Sequence, residues 1–167
     1  MTETVRSTVR AYAAVDCDPR FVLGKTNELL LRHYVDESHV TALLCLLDPR
    51  TGRLSLASTG HPAPVRLACT SCESLDVPFG PPLGAFVCGY EWAHAGLERG
   101  DCLVLFTDGV SEARRDGEEL GDDGVVEIVE RLRGLPAAGV AQSVADAALA
   151  FSGALRDDLH VVAVRLA

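Results

Sequence analysis

The sequence predicts an α+β fold with mainly antiparallel sheets. Short apolar runs between residues 40 and 68 are separated by turn chemistry, which is how hairpins read. Helical periodicity comes in blocks instead of alternating one-for-one with strands, which disfavours a doubly wound parallel sheet. No internal repeat or linker divides the chain, so residues 1–167 read as a single domain, or most of one.

The elements follow in order. Residues 2–15 read as a helix, with Val5, Val9 and Tyr12 on one face. Asp16 to Pro19 breaks it, and Asp18 is placed to cap a second helix with Pro19 at its first position. That helix runs to about His33 and is expected to bury Phe21, Leu29 and Leu30. Val40 to Leu47 reads as a buried strand. Asp48 to Gly52 is a turn, and a half-buried strand with Leu54, Leu56 and Ser58 on one face closes a hairpin. Thr59 to Pro62 turns again into a short strand over Pro64 to Ala68. Residues 69–84 are rich in Cys, Ser, Pro and Gly and read as loop. Cys88 to Ala95 is expected to be a strand containing a core Trp92. Cys102 to Phe106 is a strand of five apolar residues ending at Thr107-Asp108-Gly109. Val110 to Arg115 reads as a short helix. Val125, Ile128, Val129 and Leu132 mark one longer helix, and Val140, Val144, Ala148 and Phe151 another. Val161 to Leu166 is the closing strand.

Composition narrows the function. With 15 basic and 24 acidic residues, the formal charge is −9. A general nucleic-acid binder needs a basic surface to neutralise phosphates, so that class is disfavoured. No apolar run approaches the roughly 18 residues of a membrane span. Met1 to Arg10 has no apolar core of a secretory signal, so a cytoplasmic location with six reduced cysteines is expected.

Two acidic positions stand out by location. Asp108 ends a buried strand and is followed by Gly109, which permits a tight backbone path. Asp157 and Asp158 immediately precede the last strand. If the two strands pair antiparallel, about 4.8 Å apart, three carboxylates meet at one sheet edge and can share a cation. The alternative is that Asp-Gly is an ordinary turn and Asp-Asp an exposed loop.

Several segments in order resemble the SpoIIE/RsbU-type branch of the PP2C (PPM) serine/threonine phosphatases. They are His39-Val-Thr-Ala-Leu43, Leu47-Asp-Pro-Arg-Thr-Gly-Arg53, Ser58-Thr-Gly-His-Pro62 and Pro81-Pro-Leu-Gly84. Leu97-Glu-Arg-Gly-Asp101, Val104-Leu-Phe-Thr-Asp-Gly-Val-Ser-Glu-Ala-Arg114 and Arg156-Asp-Asp158 follow. The resemblance implies a β-sandwich flanked by helices. It implies hydrolysis of phosphoserine or phosphothreonine by water held between two Mn²⁺ or Mg²⁺ ions. It makes Asp108 and Asp157 metal ligands, Asp158 a further candidate, and Gly109 the small residue behind the ligand. Gly60, His61 and Pro62 match a structural motif. Arg114 and Arg115, read as one helical turn beyond Asp108, are candidates to contact a phosphoprotein, the alternative being an ordinary solvated face. The implied partner is a phosphorylated regulator such as an anti-sigma-factor antagonist.

The family also has a Gly-Asp-Val-x-Gly-His-Gly segment and an earlier Asp-bearing strand, upstream of the point where Met1 falls. The expectation is therefore a domain lacking its first strands and some metal ligands, because each dication takes about six ligands. Two consequences are expected: weakened metal binding, and homodimerisation through open sheet edges. The competing function is a PP2C-like module that binds the regulator without hydrolysing it. A zinc-thiolate site on Cys69 and Cys72, which would need two more ligands with Cys88 and His94 as the nearby candidates, is a third reading; the thiols are otherwise ordinary loop residues. Cys45 and Cys102 are expected in the core. His33 and His39 flank a helix end, where His complements the dipole. No Ser-His-Asp arrangement is legible around Ser111.

Overall fold

The computed structural model describes residues 2–33, 39–153 and 158–167. The elements in chain order are α1 (Thr2–Ala13), α2 (Pro19–His33), β1 (Ala42–Leu47), β2 (Arg53–Thr59), β3 (Val65–Leu67), β4 (Cys72–Ser74) and β5 (Phe79–Gly80). They continue with β6 (Ala93–Gly96), β7 (Cys102–Phe106), α3 (Asp108–Ser111), β8 (Arg114–Arg115), β9 (Glu118–Glu119), α4 (Gly121–Glu130), α5 (Ala137–Ser152) and β10 (Val161–Arg165). The α+β class with mostly antiparallel pairing is borne out; β5 joins β2 in parallel. Contacts gather into two compact units, Met1–His61 with Asp76–Ala95, and Pro62–Leu75 with Gly96–Ala167.

In the first unit, Asp18 starts α2 as expected. Its Oδ1 accepts the Arg20 N–H at 2.8 Å, and its carbonyl accepts the first helical bond from Val22 at 3.0 Å. The buried face of α2 is Val22, Leu23, Thr26, Asn27 and Leu30, with Phe21 and Leu29 only half-buried. Counting apolar residues misplaced that face because two of its members are polar. Thr26 satisfies its hydroxyl on the Val22 carbonyl at 2.8 Å. Asn27 accepts the Gly84 N–H at 2.8 Å and donates to the Phe86 carbonyl at 3.0 Å, so a buried amide clamps the 84–86 loop. Val5, Leu23, Leu30, Ala57, Leu83 and Tyr90 form this unit's core.

The β1–β2 hairpin pairs Leu47 with Leu54 and Ala42 with Thr59. Here the burial expectations reverse. β1 is an edge strand, half-buried along its length with Leu46 exposed, whereas β2 pairs with β1, β5 and β6 and is almost wholly buried. A continuous apolar run does not by itself distinguish an edge from a centre. Trp92 is half-buried instead of core: the Arg20 guanidinium lies 4.4 Å from its ring centroid and the His94 ring 4.5 Å.

In the second unit the sheet order is β10-β7-β3-β4, every pair antiparallel. Central β7 lies between β10 and β3 and is buried along almost its whole length, in keeping with its uniformly apolar sequence. α4 and α5 cover this sheet with Val125, Val129, Val140, Val144 and Ala148, all fully buried, as the 3.6-residue spacing predicts. The stretch read as loop over 69–84 holds two short strands, β4 and β5, of three and two residues, too short to show an alternation. The expected strand at Cys88–Ala95 shrinks to Ala93–Gly96. The expected helix at Val110–Arg115 is instead one turn, α3, followed by the β8–β9 hairpin.

Candidate metal centre

The site forms where β7 ends. β10 pairs with β7 in the register Val161↔Phe106 through Arg165↔Cys102, so the end of one strand lies against the start of the other. The pairing continues one residue beyond both strands. The Thr107 N–H donates to the His160 carbonyl at 3.1 Å. The Thr107 hydroxyl then makes two further bonds, donating to the Asp158 carbonyl at 2.8 Å and accepting the His160 N–H at 3.0 Å. One side chain therefore fixes the backbone carrying Asp158 to the backbone that delivers Asp108.

Asp108 opens α3. Thr107 before it is extended, at φ −77° and ψ 161°, so the chain turns sharply from strand to helix at the carboxylate. Asp108 Oδ1 accepts the N–H of Gly109 at 3.0 Å, and its carbonyl accepts from Glu112 N at 2.7 Å. These bonds hold a half-buried Asp108 at the point where the strand becomes helix. Asp157 lies outside the described residues. Among the described residues no three His, Cys, Asp or Glu side chains gather as a metal cluster. Asp108 and Asp158 are hard oxygen donors, the kind that Mn²⁺ and Mg²⁺ prefer, so what the structure brings to this edge fits such an ion in kind.

The matching profile is that of Stage II sporulation protein E, over residues 1–167. The chain belongs to the SpoIIE family. Its fold is that of the PP2C phosphatase domains. It matches the SiaA PP2C domain of Pseudomonas aeruginosa at TM-score 0.86 and 18% identity, over 99% of this chain and 69% of that one. It matches the RsbU and RsbW domains of a Mycobacterium tuberculosis protein at TM-score 0.84 and 19% identity, over 96% of this chain and 45% of that one. The catalytic domain of the serine/threonine phosphatase PstP, in complex with two manganese ions, matches at TM-score 0.71 and 16% identity, over 96% of this chain and 80% of that one. No curated protein sequence matches significantly. No described helix is long and apolar enough to cross a membrane.

The other sequence candidates of this SpoIIE-family chain fall as follows. In the Gly60-His61-Pro62 turn, Gly60 takes φ 76°, where a side chain would be strained. The Ser58 hydroxyl donates to the His61 carbonyl at 3.0 Å and accepts the His61 N–H at 3.2 Å. The backbone of this turn is thus tied to β2, which suits a structural role. Arg114 and Arg115 are not on a helix beyond Asp108 but on β8. Arg114 pairs with Glu119 across the hairpin, and the Arg115 guanidinium lies 4.5 Å from the centroid of Phe151. Cys72 begins β4, and its thiol donates to the Val126 carbonyl at 3.6 Å; burial pushes that thiol's pKa up. Arg133 bonds the carbonyls of Ala68 and Ser71, closing the loop that carries an exposed Cys69. Cys102 is fully buried, but Cys45 is only half-buried. Sequence reasoning missed Thr107. Its signal is a hydroxyl set between an apolar strand and an Asp-Gly, where no core contact needs it.

Proposed function

We propose that this chain is a metal-dependent phosphoprotein phosphatase acting on phosphoserine or phosphothreonine of a bacterial regulatory protein, such as an anti-sigma-factor antagonist. The observation that carries the reading is the β7–β10 register with its Thr107 tie, which sets Asp108 and Asp158 at the same sheet edge. SpoIIE membership and the manganese-bound relative of the same fold support it.

Asp108 and Asp158, with Asp157, would hold Mn²⁺ or Mg²⁺. Such an ion, when bound, lowers the pKa of a water and offsets charge on phosphoryl oxygens. The protein's own part is positional. Asp108 is held by α3 and the Gly109 N–H, while Thr107 holds the Asp158 segment in register. Chain flexibility at the strand ends is thereby removed before a ligand arrives.

The test is p-nitrophenyl phosphate turnover with Mn²⁺, comparing the chain with Asp108→Asn. Mn²⁺-dependent turnover lost in the variant supports the reading. Turnover that ignores the substitution overturns the site. A chain that is silent yet still binds a phosphorylated regulator is the non-catalytic module instead.

A further inference from the structure

Above the sheet of the second unit, a groove of about 510 Å³ runs between α4 and α5. Leu120, Ile128, Ala147 and Phe151 give its lining an apolar part, and Arg115 and Arg131 line it as well. Leu120 can lie across α4 because Gly124 carries no side chain; a methyl there would meet Leu120 Cδ1 at 2.7 Å. Arg115 comes from β8, seven residues beyond Asp108 in the chain. The α3 turn that starts at Asp108 packs on both α4 and α5. The groove therefore belongs to the helical layer into which the candidate metal edge leads.

Its charge is unusual for this molecule. The chain carries −9, yet the groove has two arginines against one carboxylate, Glu127. Among the described residues Glu127 forms an ion pair with Arg131 alone, at 3.3 Å and exposed, which is weak. Arg115 has no ion pair among the described residues. Its guanidinium carbon lies 4.5 Å from the Phe151 ring centroid, a contact that uses no N–H donor and leaves them for a carboxylate. A partner that fills such a groove needs an apolar side chain for the apolar part of the lining and acidic residues for the arginines.

We infer that this groove is a docking site for an acidic segment bearing a large apolar residue, on the phosphoprotein that the enzyme acts upon. The inference deepens the phosphatase reading and rests on it for the identity of the partner. The groove is separate from the residues assigned to the metal. It would recognise sequence flanking the phosphorylated residue and so raise the local concentration of the correct substrate. Arg115 and Arg131 would supply specificity, since a basic or neutral segment leaves both guanidinium groups unmatched.

The test is a binding measurement that does not depend on catalysis. A fluorescein-labelled peptide, Glu-Asp-Glu-Leu-Phe-Glu-Asp, is titrated with the full chain without added metal, and anisotropy is read. A Lys-for-acid version of the same peptide serves as the control. The expected result is saturable binding of the acidic peptide only, weakened at least about tenfold by Arg115→Glu or by Arg131→Glu. Ala150→Trp, at an exposed position on the groove wall, should weaken binding comparably by filling the groove while leaving both arginines in place. Equal binding to the chain and all three variants overturns the inference, as does no binding below about 1 mM. p-Nitrophenyl phosphate turnover of the unmodified chain is measured alongside. Arginine-dependent docking without turnover would sustain the groove and remove the phosphatase reading. Turnover without docking would do the reverse.

Discussion

Thr107→Val keeps the shape of the side chain and deletes its hydroxyl. Two bonds disappear, one to the Asp158 carbonyl at 2.8 Å and one from the His160 N–H at 3.0 Å. A typical bond of this kind contributes about 0.5–1.5 kcal/mol net. Asp158 and His160 are both exposed, so water can replace the lost partner at each, which puts each bond at the low end of that range. Valine also favours extended backbone slightly more than threonine does, which offsets a little. The expected loss is about 1 kcal/mol, or roughly 2–4 °C in Tm for a chain of this length. Thr107→Ser, which retains the hydroxyl, should lose less than half of that. Thr107→Val should also loosen the Asp158 segment and weaken Mn²⁺ binding about three- to tenfold in calorimetric titration. A structural tie without a metal role would lower Tm and leave the Mn²⁺ isotherm alone. If Thr107→Val melts within about 1 °C of the parent and binds Mn²⁺ equally, the proposed tie between the two strand ends is wrong.

Three other outcomes are expected. Gly80→Ala should destabilise by about 1–3 kcal/mol in urea unfolding, because its methyl would meet the Ser58 carbonyl at 2.6 Å and Tyr90 Cδ1 at 2.8 Å, and the first of these is backbone that cannot yield. Asp18→Ala should cost about 1 kcal/mol through the lost cap, whereas Asp18→Asn keeps the cap and loses only the charge. The Arg20 side chain is the chief cause that holds the Asp18 carboxyl below its usual value. Its share of stability is therefore present above the unfolded pKa of about 3.9 and lost as pH falls through the lower folded value, so the parent and Asp18→Asn should converge in Tm in strong acid. Burial pushes the Cys45 thiol up to about 12, while Cys17 and Cys69 are exposed; thiol titration near pH 8 should modify Cys17 and Cys69 well before Cys45 and the buried Cys102.

What could be read from the sequence followed the size of the apolar signal. α4, α5 and β7 bury regular apolar faces, and their positions were legible from spacing alone. That β7 and β10 are strands was legible as well, each being a short apolar run next to an acid; their antiparallel pairing was only a condition in the sequence, and the register supplies it. The buried face of α2 was not, because Thr26 and Asn27 are paid for by hydrogen bonds to Val22, Gly84 and Phe86 that no periodicity reveals. The depth of β1 and β2 was inverted because burial depends on how many neighbours a strand acquires, and that is decided by β5 and β6, which are far away in sequence.

The error at residues 110–119 matters most for function. Asp116-Gly117 is among the strongest hairpin signals, with φ 55° and 91° as a two-residue turn requires. It was overlooked because its flanks are Arg114, Arg115, Glu118 and Glu119, which offer charges where alternation is sought. In the register Arg114 lies opposite Glu119, with which it forms an ion pair, and Arg115 lies opposite Glu118, with no ion pair between those two among the described residues. On a helix, both arginines would have been a solvated turn beyond Asp108. On a hairpin they diverge, because neighbouring residues of a strand point to opposite faces. Arg114 is consumed by Glu119, and Arg115 is delivered onto Phe151 at the groove between α4 and α5. A single charge reversal at Arg115 therefore tests the hairpin and the docking groove together, whereas reversal at Arg114 tests the hairpin alone.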